Sequence, residues 1–473
     1  SRDVVDGSVF IALAGTQTHG ITFAKQAIAK GAKLILAEKS PGLVNNIDSV
    51  PIIWVDQLAQ QCAGLAKRFY QNPSQKLKVI GVTGTNGKTS TAHYTAQLLS
   101  ASGIKVALLG TLGNGWLDDL IPSQNTTLDV VALNRCLAFF AEQKAEVVVM
   151  EVSSHAISLG RIKGIEFEGL ALTQVTRDHL DFHQTEAAYQ SVKKQLFTDY
   201  PHSFQVLNLD DATGADLVDT GGNVNAAITK TTTITYAKHN AQADIFASNI
   251  HLMAQGINGT LSITQQPLTL DVPLMGLFNL ENVLCAVGIC KGLGLSDAQI
   301  QQGLKQLQPV AGRMQCLRHD WAATVVIDYA HTPDALQALL VAIRAHLSQP
   351  NQQLWGVFGC GGDRDQGKRP LMGQVAETFA DQVVLTDDNP RYESAQAIIE
   401  HIKAGMKKPC QVIHDRGNAV ATVLTQANPQ DIVVLAGKGH ESTQEVQGKK
   451  IPMQDEALVK QAYAVMDIKR SPS

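Results

Sequence analysis

A chain of 473 residues is too long for one hydrophobic core and predicts about three domains. Hydrophobic residues make up 44% and charged residues 17%, ordinary for an α/β protein, and a net charge of −4 without basic runs argues against nucleic-acid or membrane-surface partners. Seven scattered cysteines with no Cys-x-x-Cys pair fit reduced thiols in a cytoplasm and argue against a disulfide framework or a zinc site.

Residues 8–13, 22–30 and 33–37 read as strand, helix and strand, and 56–70 has helical periodicity up to a Gln71-Asn72-Pro73-Ser74 linker. This predicts a small N-terminal domain over 1–75, expected to be cut short at its start because Ser1 already lies inside it. No apolar run reaches about 18 residues, so no spanning helix is predicted.

A second domain is predicted over 76–311. An apolar strand, 77–82, meets the turn Gly81-Val82-Thr83-Gly84-Thr85-Asn86-Gly87-Lys88-Thr89-Ser90, and a helix follows over 91–99. A glycine-rich turn between strand and helix aims backbone N–H groups at one point, where the helix N-terminus favours phosphate. Lys88 can neutralise outer phosphates and the Thr89 hydroxyl can hold Mg²⁺. The spacing is irregular: Val82 stands where the usual loop has its first glycine. The apolar strand 145–150 leads into Glu151-Val152-Ser153-Ser154-His155, and a strand-end carboxylate is where phosphate-loop enzymes place a metal ligand or water-orienting group. Thr176-Arg177-Asp178-His179-Leu180-Asp181-Phe182-His183 crowds two histidines and two aspartates together. No second cluster has zinc spacing, so His179 reads better as a Mg²⁺ or phosphate contact. Short β-branched runs over 231–274, broken by Gly256 and Gly259, predict an antiparallel insert. Helices are predicted from Gly276 to near Gly292 and over 295–307.

The last domain, 312–473, alternates strands at 323–327, 354–358, 382–385, 411–413 and 432–435 with helix patterns such as 333–347 and 369–380. That is a doubly wound, Rossmann-like parallel sheet, whose ligands gather at the carboxyl ends marked by Asp328, Gly359, Asp387 and Gly437. Gly359-Cys360-Gly361-Gly362 hints at a dinucleotide fingerprint, but Arg364 stands at the third glycine position and favours an anion-binding turn. In Asp387-Asp388-Asn389-Pro390-Arg391 the proline stiffens the turn, so Arg391 projects at a fixed angle suited to a carboxylate. Gly437-Lys438-Gly439-His440-Glu441 closes the set.

Together, in this order, these segments resemble the Mur ligases, ATP-dependent amide-forming enzymes of peptidoglycan precursor synthesis and hence of cell-wall growth and division. The family writes its loop Gly-Thr-x-Gly-Lys-Thr, as Gly84-Thr85-Asn86-Gly87-Lys88-Thr89 does here. The resemblance implies a cytoplasmic, monomeric enzyme with small-molecule substrates and the cofactors ATP and Mg²⁺. It implies that Ser1, Thr16, Gln17 and Thr18 contact the uridine end of a UDP-muramoyl-dipeptide. Asn125, Thr126, Thr127, Ser153 and Arg161 would hold the dipeptide part, with Leu159 where many relatives have Gln. Thr89, Glu151 and His179 would serve Mg²⁺. Asn279, Asn282, Arg313 and Asp328 would surround the adenosine, beside the loop residues through Ser90. Lys193, which reads by itself as a surface lysine next to Lys194, matches the lysine the family carries as a carbamate (N6-carboxylysine).

The reaction implied activates the D-glutamate γ-carboxylate as an acyl phosphate, which an amine then attacks. The motif Asp388-Asn389-Pro390-Arg391, with Arg364, Gly437 and Glu441, resembles the form associated with meso-diaminopimelate as that amine. A folylpolyglutamate synthetase shares the loop but would lack the uridine-binding domain and this motif. A nucleotide switch would carry an Asn-Lys-x-Asp motif, and none is present.

Overall fold

The central strands Lys78–Thr83 and Val147–Glu151 are apolar on both faces because each face is covered. Ile80, Val82, Val147 and Val149 pack under the helices Lys88–Ala101 and Leu277–Gly292, while Val79, Val148 and Met150 pack against the helix Val130–Glu142 on the other side. The computed structural model describes residues 3–15, 18–40, 50–123, 125–176, 178–219, 231–253 and 255–470. Among them, no helix is long and apolar enough to cross a membrane.

The N-terminal unit is a three-stranded parallel sheet, Val9–Ala12, Leu34–Glu38 and Ile52–Val55, backed by the helices Ala24–Ala29 and Leu58–Phe69. The third strand was not expected, although Ile52, Ile53 and Val55 are typical strand formers. Among the described residues the central sheet has 11 strands. Its parallel core, in spatial order, is Thr232–Ala237, Phe204–Asn208, Gly169–Leu172, Lys78–Thr83, Val147–Glu151 and Val106–Gly110.

The expected antiparallel insert is corrected in one respect. Thr232–Ala237 and Ile245–Met253 extend this same sheet in parallel, and the antiparallel pairings begin only where Ile245–Met253 meets Gly256–Ile263, which in turn meets Gln266–Val272. At the opposite edge, Gly113–Trp116 and Asp119–Ile121 form a hairpin that the sequence did not announce.

The last unit is the predicted doubly wound sheet of six strands, parallel except for the edge strand Gln315–His319. Two cores flank it, one built on Val326, Phe358 and Val434, the other on Val325, Val357 and Leu435. The C-terminal helix Asp455–Arg470 is tied in by a buried pair: Arg416 Nε and Nη2 donate to the Asp455 carboxylate at 2.6 and 2.7 Å, with side chains 1% and 0% exposed. Arg416 Nη2 also donates to the carbonyl of Ala436, the end of strand Ile432–Ala436. Asp455→Ala would strand a guanidinium in the core, and about 3–5 kcal/mol of stability should be lost. Urea unfolding followed by tryptophan fluorescence checks this; an unchanged midpoint would mean the pair is dispensable.

Candidate active site

The phosphate loop owes its shape to contacts that leave no room for side chains. A Cβ at Gly84 would lie 1.8 Å from Thr173 Oγ1, and one at Gly87 would lie 2.3 Å from Asn282 Oδ1; both glycines have positive φ. Thr173 Oγ1 donates to Asn86 O at 2.6 Å, and Thr85 N–H donates to Gln174 O at 2.6 Å, so the loop is held from the neighbouring strand. The helix Lys88–Ala101 starts without a side-chain cap, leaving its first N–H groups to a ligand. Lys88 Nζ donates back to Gly84 O and Thr85 O.

Lys193 Nζ reaches the same Gly84 carbonyl at 2.8 Å. It is therefore not the surface lysine its sequence neighbourhood implied. The helix Glu186–Asp199 turns Tyr189, Lys193, Leu196 and Phe197 inward, and Lys193 is 1% exposed, whereas Lys194 pairs outside with Asp216. Tyr189 completes the arrangement: its hydroxyl is 3.0 Å from Thr85 Oγ1, and its ring lies under the Lys193 ammonium. Burial first, then the charge of Lys88, hold the Lys193 amine well below its ordinary pKa.

Glu151, 2% exposed, ends its strand beside the loop. Thr89 Oγ1 donates to its Oε2 at 2.8 Å, and the Thr111 N–H donates to Oε1 at 2.7 Å. A buried carboxylate touching the loop hydroxyl is a hard-oxygen donor set of the kind Mg²⁺ takes, so these residues fit that ion. His179 stands apart from this pair in its contacts: it has positive φ, lies 3.5 Å from Asp178, and packs edge-on to His155. Among the described residues no three His, Cys, Asp or Glu side chains form a metal-holding group.

Next to Glu151 a polar shelf is built from the expected dipeptide residues. Thr127 Oγ1 donates to Glu151 O and accepts from Ser153 N–H, Arg161 Nη1 donates to Thr127 O, and Thr126 Oγ1 is 3.1 Å from Thr111 Oγ1. Leu159 is 57% exposed at its rim, and Asn125 is exposed. Thr18 is exposed in the N-terminal unit; Ser1, Thr16 and Gln17 lie outside the described residues.

Asn279 and Asn282 face the loop helix, Asn279 Oδ1 accepting from Tyr94 and Asn282 Oδ1 lying 3.5 Å from Thr91 Oγ1. Arg313 stacks over Tyr329, and the Asp328 carboxylate accepts from the N–H groups of Met314 and Ala330. Burial raises the Asp328 pKa against those bonds and the nearby Arg313 charge.

In the last unit Arg391 is fixed at more than a proline. Its φ is +51, its N–H donates to Glu445 O, Nη1 donates to Gly362 O at 2.6 Å, and Nε lies 3.3 Å from Glu445 Oε2. Arg364 is exposed on the same glycine turn, its Cγ 3.8 Å from where a Gly361 Cβ would be. Asp388 is buried under Gly437, and Asn389 Nδ2 donates to Glu441 Oε2 at 2.9 Å. A cleft of about 890 Å³ joins the units, lined by His93, Thr111 and Ser123 on one side and by Asn389, Arg391 and Glu441 on the other. Burial pushes the His93 imidazole down to about 4, so it lines the cleft uncharged. Thr111, Thr173 and Tyr189 were not anticipated from sequence.

Comparison with known proteins covers nearly the whole chain. Family models described as the Mur ligase family catalytic domain, the Mur ligase middle domain and the Mur ligase glutamate ligase domain match residues 1–70, 82–290 and 312–439. The UDP-N-acetylmuramoyl-L-alanyl-D-glutamate--2,6-diaminopimelate ligase of Vibrio parahaemolyticus is 41% identical over 462 residues, 96% of this chain and 91% of that protein. A solved structure of a ligase of the same description is 35% identical, with a TM-score of 0.74 over 98% of this chain and 94% of that one. The MurF ligase of Thermotoga maritima, solved with ADP, shares the fold at 19% identity, with a TM-score of 0.65 over 99% of this chain and 97% of that one.

Proposed function

The chain belongs to the Mur ligase family, and we propose that it joins meso-diaminopimelate to the D-glutamate γ-carboxylate of UDP-N-acetylmuramoyl-L-alanyl-D-glutamate, consuming ATP. The observation that carries this reading is the cleft that sets Arg391, Asn389 and Glu441 opposite Thr111, which grips Glu151 beside the phosphate loop. ATP lies with its phosphates on the loop, against Lys88, Thr89 and Ser90, and its adenosine toward Asn279, Asn282, Arg313 and Asp328. The dipeptide carboxylate, held on Thr126, Thr127, Ser153 and Arg161, attacks the γ-phosphorus; ADP leaves and an acyl phosphate forms. The diaminopimelate amine then attacks that carbonyl, loses a proton, and phosphate departs with the bond electrons. Positioning and charge neutralisation supply most of the catalysis in such transfers.

Thr89 and Glu151 would hold Mg²⁺, with His179 as a further contact, and the ion would neutralise phosphate charge. Lys193 is read as a carbamate, because a buried amine with a depressed pKa is neutral enough to add to CO₂ and release a proton. The substrates are small and soluble, which fits a monomer acting in the cytoplasm.

The test is phosphate release by the purified chain with the UDP-dipeptide and a panel of diaminopimelate, lysine and ornithine. Turnover is expected only with ATP, dipeptide and diaminopimelate together. Equal phosphate release without the two co-substrates would overturn the reading, and preference for lysine would overturn its amino-acid half.

A further inference from the structure

Lys438 sits between Gly437 and Glu441, on the loop that carries both. It follows the strand Ile432–Ala436 and is 0% exposed, with all three ammonium hydrogens directed at oxygens. Nζ donates to Asn389 Oδ1 at 3.1 Å, to Glu441 Oε2 at 2.9 Å and to Thr443 O at 2.8 Å. These bonds join three segments: the Asp-Asn-Pro-Arg turn, the strand-end loop, and the hairpin Thr443–Val446 with Lys449–Pro452.

The consequence for the cleft is geometric. Asn389 Oδ1 accepts from Lys438 and from Glu445 N–H, which fixes the amide so that Nδ2 faces Glu441. Glu441 Oε2 then accepts from both Lys438 and Asn389, while Oε1 has no hydrogen bond among the described residues and Glu441 lines the cleft. The same hairpin supplies Glu445 O and Glu445 Oε2 to Arg391. One buried ammonium thus sets the position of a carboxylate on the cleft wall and ties its loop to the hairpin.

We propose that Lys438 is a positioning residue for amino-acid recognition, holding Glu441 so that one carboxylate oxygen meets the ammonium of the zwitterionic end whose carboxylate Arg391 takes. This rests on the reading of the cleft as the amino-acid site. Burial opposes the charge on Glu441, but the bonds from Lys438 and Asn389 outweigh it and keep the carboxyl below its usual pKa. A neutral side chain of similar length at 438 would leave the half-buried Glu441 with one donor fewer and free to turn away.

Lys438→Met is expected to raise the KM for diaminopimelate about 50-fold, with the KM for ATP and for the dipeptide within about two-fold and kcat little changed. In a Glu441→Gln background the same substitution should add less than about three-fold, because the oxygen it positions is gone. An unchanged diaminopimelate KM, a rise shared by all three substrates, or full multiplication of the two effects would each overturn the role. If Lys438→Met shows no cooperative melt, Lys438→Arg is read instead. It keeps the charge but not the point geometry, and a rise of about ten-fold confined to diaminopimelate is expected. Equal changes for all substrates in that variant refute the proposal. Wild-type protein lacking diaminopimelate-dependent turnover would fail the function itself and this inference with it. Normal wild-type turnover with a normal Lys438→Met KM would fail this inference alone.

Discussion

Arg391→Ala should raise the KM for diaminopimelate by about 10²-fold while leaving the KM for ATP within about two-fold. Diaminopimelate carries a second amino-carboxylate end, and lysine has an amine there without the carboxylate. Removing one member of a buried ion pair costs about 3–5 kcal/mol, or about 10²–10⁴-fold. Arg391 is 22% exposed and shares its charge with Glu445, 3.3 Å from Nε, so the substrate carboxylate that the alanine variant leaves unpaired sits in a partly solvated place. That places the effect at the lower end of the range. The same geometry explains why lysine should be a poor substrate for the intact enzyme. Nη1 is already committed to Gly362 O at 2.6 Å, so the guanidinium cannot swing away to solvent when its carboxylate is missing. Steady-state kinetics with each substrate varied in turn checks this. Equal rises in the KM for ATP and for diaminopimelate would sink the assigned role.

The phosphate loop, the doubly wound last domain and the strand-end carboxylates were legible because each depends on local pattern. Apolar runs such as 147–150 are covered on both faces, and they announce themselves by composition. The hairpin Gly113–Trp116 with Asp119–Ile121 was not legible, since Gly113, Asn114 and Gly115 have low strand propensity and pair only because Val106–Gly110 offers an edge. Thr111 and Thr173 are ordinary residue types whose roles come from register: parallel pairing sets Gly81 beside Leu170 and Val82 beside Ala171, which brings Thr173 to the loop. Lys193 reads from its own neighbourhood as a surface lysine, and only the family resemblance raises it; the structure supplies the reason for its burial. Tyr189, Lys193, Leu196 and Phe197 follow a helical stripe, and a lysine inside such a stripe is buried for a reason.

That buried lysine carries the second large effect. Lys193→Ala should lower kcat by about 10²–10³-fold, the scale seen when one preorganised electrostatic group is removed from an active site. As an unmodified amine, Lys193 would place a second ammonium against Lys88, both reaching the Gly84 carbonyl, with burial opposing the charge on each. Two cations sharing one acceptor is an unfavourable resting state, and a neutral amine is the form that adds CO₂. A carbamate would reverse the sign at Lys193, offsetting Lys88 and supplying oxygen donors beside the loop. Tyr189 would then lose its ammonium partner but keep its hydroxyl contact to Thr85, so loop shape should survive the modification. Two measurements follow. Wild-type activity should fall in CO₂-stripped buffer and return with bicarbonate, and Lys193→Ala should recover part of its rate with formate or acetate, which can occupy the vacated space. Full activity in Lys193→Ala would remove the residue from the mechanism. A loss that no short carboxylate relieves, in a variant with a normal melt and a wild type indifferent to CO₂, would assign Lys193 to holding the Gly84 carbonyl as an amine.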